Sequence, residues 1–179
     1  MQPIYIVTGP PAVGKSSFCV ALMRRYPFGL HIPVDDLREM VVSGIAHPVG
    51  WTDETTRQFD LAAHAAADLA VRYQDAGFAV ALDHCHSPPQ LAALAEARFT
   101  GRPVVRIALV SSLETNLQRN ATRTNKDFDA AILIPTIERL NPMYRTYDLT
   151  SEGWVVLPND GPSVEEAVDR LLAQLESRV

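Results

Sequence analysis

The eight residues Gly9-Pro10-Pro11-Ala12-Val13-Gly14-Lys15-Ser16 constrain this chain more than any other stretch. Their spacing, G-x-x-x-x-G-K-[ST], belongs to a loop between a strand and a helix that wraps phosphate. The flanks agree. Ile4-Tyr5-Ile6-Val7 is a short β-branched apolar run, as a buried parallel strand requires. Ser17 to Arg25 reads as a helix with Phe18, Ala21 and Leu22 on one side. Gly9 and Gly14 can take backbone angles closed to other residues. The loop amides can then turn inward at the positive start of the helix. Pro10 and Pro11 have no N–H, so the amides facing phosphate come from Val13 to Ser16. On this reading Lys15 reaches the outer phosphates of a nucleoside triphosphate and the Ser16 hydroxyl ligates Mg²⁺. The expected nucleotide contacts are Gly9, Ala12, Val13, Gly14, Lys15, Ser16 and Ser17.

At 179 residues the chain suits one α/β domain, residues 1–179, rather than two. A formal charge of −5 weighs against a nucleic-acid partner, which usually asks for a basic face. No apolar run approaches the ~20 residues of a membrane span. The start runs straight into a strand without a leader pattern, and two cysteines make no disulfide framework. A reduced, cytoplasmic setting follows as the expectation.

Two further strand ends carry carboxylates. Leu30-His31-Ile32-Pro33-Val34 reads as a strand ending at Asp35-Asp36, and ligands in open α/β sheets sit at such ends. Asp35 is the candidate to orient or deprotonate a substrate hydroxyl, with Asp36 as the helix cap. Arg38, a turn further on, is a candidate for an anionic substrate group. Phe78-Ala79-Val80-Ala81-Leu82-Asp83 is a third strand, whose Asp83 would hold Mg²⁺ directly or through water. His84 follows where many hydrolases place a water-activating Glu, which favours phosphoryl transfer over hydrolysis. His84, or alternatively His86, is also a candidate substrate contact. The spacing of His84, Cys85 and His86 does not resemble a zinc framework. Between these strands, Ser43 to Trp51 reads as a loop over substrate. Thr52 or Asp53 opens a long helix to about Asp75, with Asp60, His64 and Asp68 on a solvated stripe.

The later half reads as a fourth strand, Pro103 to Val110, then a helix capped by Ser111 or Ser112. Leu113 and Leu117 are predicted to face the core, and Asn116, Arg119, Asn120 and Arg123 share another face. Arg119 and Arg123 there suit a lid over the nucleotide, countering charge on the moving phosphoryl group. Asn125-Lys126-Asp127 approaches a guanine-reading signature that Phe128 breaks, which favours ATP over GTP. Pro135, and then Asn141-Pro142, are predicted to interrupt the next helix. A fifth strand, Gly153 to Leu157, leads to the turn Pro158-Asn159-Asp160-Gly161, which in folds with such a phosphate loop often borders the adenine and makes Asn159 a candidate nucleotide contact, and Ser163 caps a last helix.

Three of these stretches, Gly9 to Ser16, Asp35-Asp36-Leu37-Arg38-Glu39-Met40 and Leu82-Asp83, together resemble the P-loop small-molecule kinases. That group includes shikimate and gluconate kinases, chloramphenicol phosphotransferase, zeta-type toxins and uncharacterised bacterial kinase-like proteins. The resemblance implies a three-layer α/β/α fold with a five-stranded parallel sheet in order 2-3-1-4-5. It also implies a helical lid over about 119–146 that carries Arg119 and Arg123, and a base at Asp35. The function implied is Mg²⁺-dependent transfer from ATP to a small-molecule hydroxyl. A kinase of nucleotides or polynucleotide ends, and an ATP-binding regulator with little catalysis, stand as alternatives.

Overall fold

The computed structural model describes residues 1–48, 50–123, 129–161 and 163–177. Asn125-Lys126-Asp127 and Phe128 lie outside them. The elements run β1 (Ile4–Thr8), α1 (Lys15–Met23), β2 (Gly29–Pro33), α2 (Val34–Glu39), α3 (Asp53–Asp75), β3 (Ala79–Asp83), α4 (Pro88–Arg98), β4 (Val104–Val110) and α5 (Leu113–Thr122). A 3-10 turn (Ala130–Leu133), α6 (Ile134–Thr146), β5 (Val155–Pro158) and α7 (Val164–Glu176) complete the chain.

The five strands form one sheet in the order β2-β3-β1-β4-β5, and every pairing is parallel. Parallel strands need helical crossovers and end up covered on both faces. The central strands obey this: all five residues of β1 and of β3 are buried. Their side chains alternate between two cores. Ile4, Ile6, Val80 and Leu82 face the layer built from α3, α4 and α6. Tyr5, Val7, Ala79 and Ala81 face α1 and α7. The stripe Ala62, Ala63, Ala66, Ala67 and Ala70 lets α3 lie close on the sheet, so a larger residue such as Ala66→Leu would cost ~1–3 kcal/mol in overpacking.

Local signals set the helix boundaries. The Thr52 and Thr55 side chains cap each other's backbone at the start of α3, and Gly77 at φ 92° follows its end. Ser112 accepts from Thr115 N, and Ser163 from Glu166 N. Two expectations fail. Asp36 is not a cap: α2 starts at Val34 with Pro33 at its N-cap, so Asp35 and Asp36 both sit in the first turn, where the helix dipole favours carboxylates. Nor does Asn141-Pro142 break α6, which runs through Pro142, while Pro135 falls harmlessly in its first turn. Buried Asn141 is instead an anchor, donating Nδ2 to Ser111 O at 2.9 Å.

Register brings the strand ends level. Val7 and Pro33 both stand opposite Asp83, and Val110 opposite Pro158. All carboxyl ends share one edge, where ligands bind in sheets of this kind. Among the described residues no helix is long and apolar enough to cross a membrane.

Candidate active site

The residues between β1 and α1 close into the predicted nest. Gly9 has φ 149°, and a Cβ there would lie 2.5 Å from Leu109 O. Gly14 has φ 97°, and a Cβ there would meet Asn159 Nδ2 at 2.9 Å. Ala12, at φ 62°, holds a left-handed conformation unusual for a residue with a side chain. Val13 N donates to Pro10 O at 3.3 Å, and the Val13 side chain is fully buried. Val13 therefore frames the nest, and the amides left for an anion are those opening α1, from Gly14 onward.

Polar side chains from the far end of the chain hold this loop from outside. Asn159 Nδ2 donates to Val13 O at 2.6 Å, Arg119 Nη1 to the same oxygen at 3.2 Å, and Asn116 Nδ2 to Pro11 O at 3.1 Å. Asn116, Asn120 and Asn159 are all buried. The inward face of α5 is thus amide-rich, whereas Leu113 and Leu117 are only half-buried, against the expectation that they would face the core. The reason is local: α5 packs on loop carbonyls, and those need donors. Periodicity of apolar residues could not signal this, although three Asn beside predicted strand ends were a clue.

Lys15 Nζ lies against its own loop, donating to Gly9 O at 3.1 Å and Pro10 O at 3.3 Å. Ser16 Oγ donates to Asp83 Oδ2. Asp83 is buried, which by itself would raise its pKa. The His31 imidazole, the Lys15 charge and the Ser16 hydroxyl outweigh burial and hold it below the usual carboxylate range. His31 Nε2 lies 3.6 Å from Asp83 Oδ2. A serine hydroxyl beside a low-pKa carboxylate is an oxygen donor set that fits Mg²⁺, which prefers one or two such ligands plus phosphate oxygens and water.

A cleft of about 1620 Å³ opens above this edge. It is lined by Gly9, Ala12, Gly14, Lys15, Ser16, Ser17, Asp83 and Asn159 at one end, with Arg119 and Arg123 beside them. Asp35, Arg38, Cys85 and His86 line the other. Burial lowers the pKa of Arg123, and the charge of Asp35 opposes that, so the two stand within electrostatic reach. Asp35 Oδ1 is sealed from water with no hydrogen-bond partner among the described residues. The Cys85 thiol faces the same carboxylate. It is open to water yet low in the cleft, and loss of solvation followed by the Asp35 charge pushes its pKa up.

His84 does not join them. Its N–H donates to Val7 O at 3.0 Å, extending the ladder one residue past Asp83, and its ring packs behind His86, with centroids 4.3 Å apart and Nδ1 accepting from His86 N at 3.0 Å. It is buried, and burial first, then the charge of His86, pushes its pKa down to about 3. Of the two histidines offered as substrate contacts, His86 lines the cleft and His84 does not. On the opposite side, α6 is pinned over the sheet edge by Tyr144 Oη, 2.8 Å from Thr8 Oγ1.

A parallel sheet in this order, with seven helices among the described residues and an anion nest after β1, is the P-loop nucleoside triphosphatase fold. The family model described as an AAA domain (AAA_33) matches residues 4–143, and the chain belongs to that family. A search of curated proteins finds no match. Among solved structures, a sugar kinase from Janibacter sp. HTCC2649 is similar at 17% identity and TM-score 0.68, covering 98% of this chain and 95% of its own. A gluconokinase from Sinorhizobium meliloti 1021 is similar at 19% identity and TM-score 0.60, covering 99% and 97%. A shikimate kinase from Acinetobacter baumannii, in complex with shikimate, is similar at 17% identity and TM-score 0.62, covering 99% and 95%. At these identities the likeness is one of fold.

Proposed function

We propose that the protein transfers the γ-phosphoryl group of ATP, with Mg²⁺, to a hydroxyl of a small molecule. The observation that carries this reading is the composition of one cleft: Lys15, Ser16 and Asp83 line one end and Asp35 the other, with Arg119 and Arg123 between them and the rim. Kinase activity of the sugar kinase, gluconokinase and shikimate kinase that share the fold supports it.

The roles follow from charge and position. The amides opening α1 bind phosphate oxygens, helped by the helix dipole. Lys15 leaves the Gly9 and Pro10 carbonyls for the outer phosphates. Ser16 and Asp83 would hold Mg²⁺, which supplies charge neutralisation at the phosphates. Arg119 and Arg123 counter charge on the phosphoryl group in transfer, as the region from 119 to 146 closes as a lid. Asp35 orients the acceptor hydroxyl and takes its proton. The acceptor oxygen forms the new P–O bond while the bond from the γ-phosphorus to the bridging oxygen breaks, and ADP leaves with that electron pair. Arg38 and His86 contact the acceptor. The place of Asp35 in the cleft favours catalysis over a purely regulatory role. A setting among soluble metabolites, with neither nucleic acid nor membrane as partner, fits the net charge of −5.

The test is a thermal-shift and ADP-release screen with Mg²⁺, ATP or its non-hydrolysable analogue, and a panel of hydroxylated metabolites and antibiotics. The reading expects stabilisation by the analogue and ADP release that depends on one class of acceptor. Lys15→Met should abolish the release while the fold survives, and unchanged turnover in that variant would refute the assignment.

A further inference from the structure

The acceptor end of the cleft is built in an unusual way for a polyol. Its wall carries a flat aromatic shelf. Trp51 stacks on Phe59 with ring centroids 5.0 Å apart and planes 17° apart. Trp51 Nε1 donates to Thr56 Oγ1 at 2.8 Å, which fixes the indole, yet 56% of the residue stays exposed. Trp51 lines the cleft, and so do Ile45, Ala46 and Pro48 from the same loop. A flat ring would find on this wall a fixed, open aromatic face to stack on.

Beneath the shelf lies a cation without a counter-charge. Arg38 is 7% exposed and lines the same cleft. Its guanidinium sits 4.6 Å over the Phe59 ring, and Nη1 donates to Ala46 O at 2.8 Å. Nε has no partner, and no ion pair among the described residues includes Arg38. Buried guanidinium groups are ordinarily paired with an acid. Here the cleft is where an acid can come from, and a planar donor fork suits carboxylate and phosphate alike.

We propose that the acceptor is an acid that carries a flat unsaturated ring. The ring stacks on Trp51, the acid group supplies the counter-charge of Arg38, and a hydroxyl is presented to Asp35. This rests on the kinase reading of the site. Two sources share the chemistry, an aromatic hydroxy-carboxylate and a nucleoside monophosphate, and the probes separate them.

The experiment titrates the full chain, with its nucleotide end saturated by a non-hydrolysable ATP analogue and Mg²⁺, and follows tryptophan fluorescence. Of the two tryptophans, Trp154 is buried and Trp51 is open, so quenching reports on the shelf. The probes are 4-(hydroxymethyl)benzoate and uridine 3′-monophosphate, with benzyl alcohol as a ring without an acid and gluconate as an acid without a ring. One of the two flat acids is expected to bind at least tenfold more tightly than both controls, and the tighter one names the source. Arg38→Gln should erase its advantage over benzyl alcohol by the same readout, and Trp51→Ala, which lacks the reporter and is titrated by calorimetry beside wild type, its advantage over gluconate. Both variants should keep the wild-type affinity for the ATP analogue, which also certifies their fold; should Arg38→Gln fail that check, Arg38→Met, uncharged and of similar length, replaces it. Controls that bind as well as the flat acids, an Arg38→Gln protein with undiminished preference, or no flat acid bound by a protein that holds the analogue would each overturn the proposal and leave the kinase reading standing. Failure of the wild type to bind the analogue would instead remove the kinase reading itself.

Discussion

The two ends of the cleft are finished to different degrees. At the phosphate end most polar groups are paired: Lys15 rests on two carbonyls, Ser16 on Asp83, and Asn116, Arg119 and Asn159 on loop oxygens, while His31 Nε2 lies 3.6 Å from Asp83 without a hydrogen bond. At the acceptor end Asp35 Oδ1 and Arg38 Nε are buried without partners, and a tryptophan lies open. One end is built from backbone and carries its geometry with it. The other is built from side chains, and on the reading proposed above a ligand supplies the partners they lack. Substitutions of the groups that brace the loop from outside should therefore disturb structure and binding together, and those at the second end should disturb binding alone.

The widest gap between the ends should appear on the charge that meets the phosphates. Lys15→Met is expected to lower turnover by about a thousandfold, the upper range for removing one group that stabilises developing charge. Its melting temperature should stay near wild type, because only two loop contacts are lost, and steady-state ADP release with parallel calorimetry reads both. At the acceptor end, Asp35→Asn should reduce phosphoryl transfer by about a hundredfold or more if the carboxylate takes the proton. Affinity for the ATP analogue should not move, and a loss there would show that the two ends are not separable.

Stability sharpens the contrast. Asn159→Ala strips a donor from buried Val13 O and should cost ~1–3 kcal/mol by denaturant melt, with weaker analogue binding as the loop loosens. Gly9→Ala should cost ~1–3 kcal/mol through strain against Leu109 O. Trp51→Ala, on an exposed shelf, should change stability by only about 0.5 kcal/mol or less. A large loss there would mean that the shelf is structural and not a surface awaiting a ring.

The chain read alone was most informative where chemistry runs through consecutive residues. The spacing of Gly9, Gly14, Lys15 and Ser16 admits few conformations, since left-handed backbone and an amide nest are local properties. The buried runs of β1 and β3 likewise declare parallel strands, and each ends at a residue of the site. Helix starts at Thr52, Ser112 and Ser163 were legible for the same reason: a cap is made within four residues. The apolar faces were less so. Leu113 and Leu117 promised the core, and the core side of α5 went to Asn116 and Asn120.

What a side chain faces depends on what packs against its element, and that is decided by residues far away in sequence. No local pattern could say that Asn159 would hold Val13, 146 positions earlier. Nor could it place Arg38 over Phe59, or decide that His86 and not His84 would line the cleft. The sequence by itself determined the anion nest and the strands that end beside it, because torsion preferences and strand burial act over a few residues. Only the tertiary structure decided which donors brace that nest and which aromatic and basic groups line the cleft beside it, because those contacts exist only once the sheet order brings distant segments to one edge.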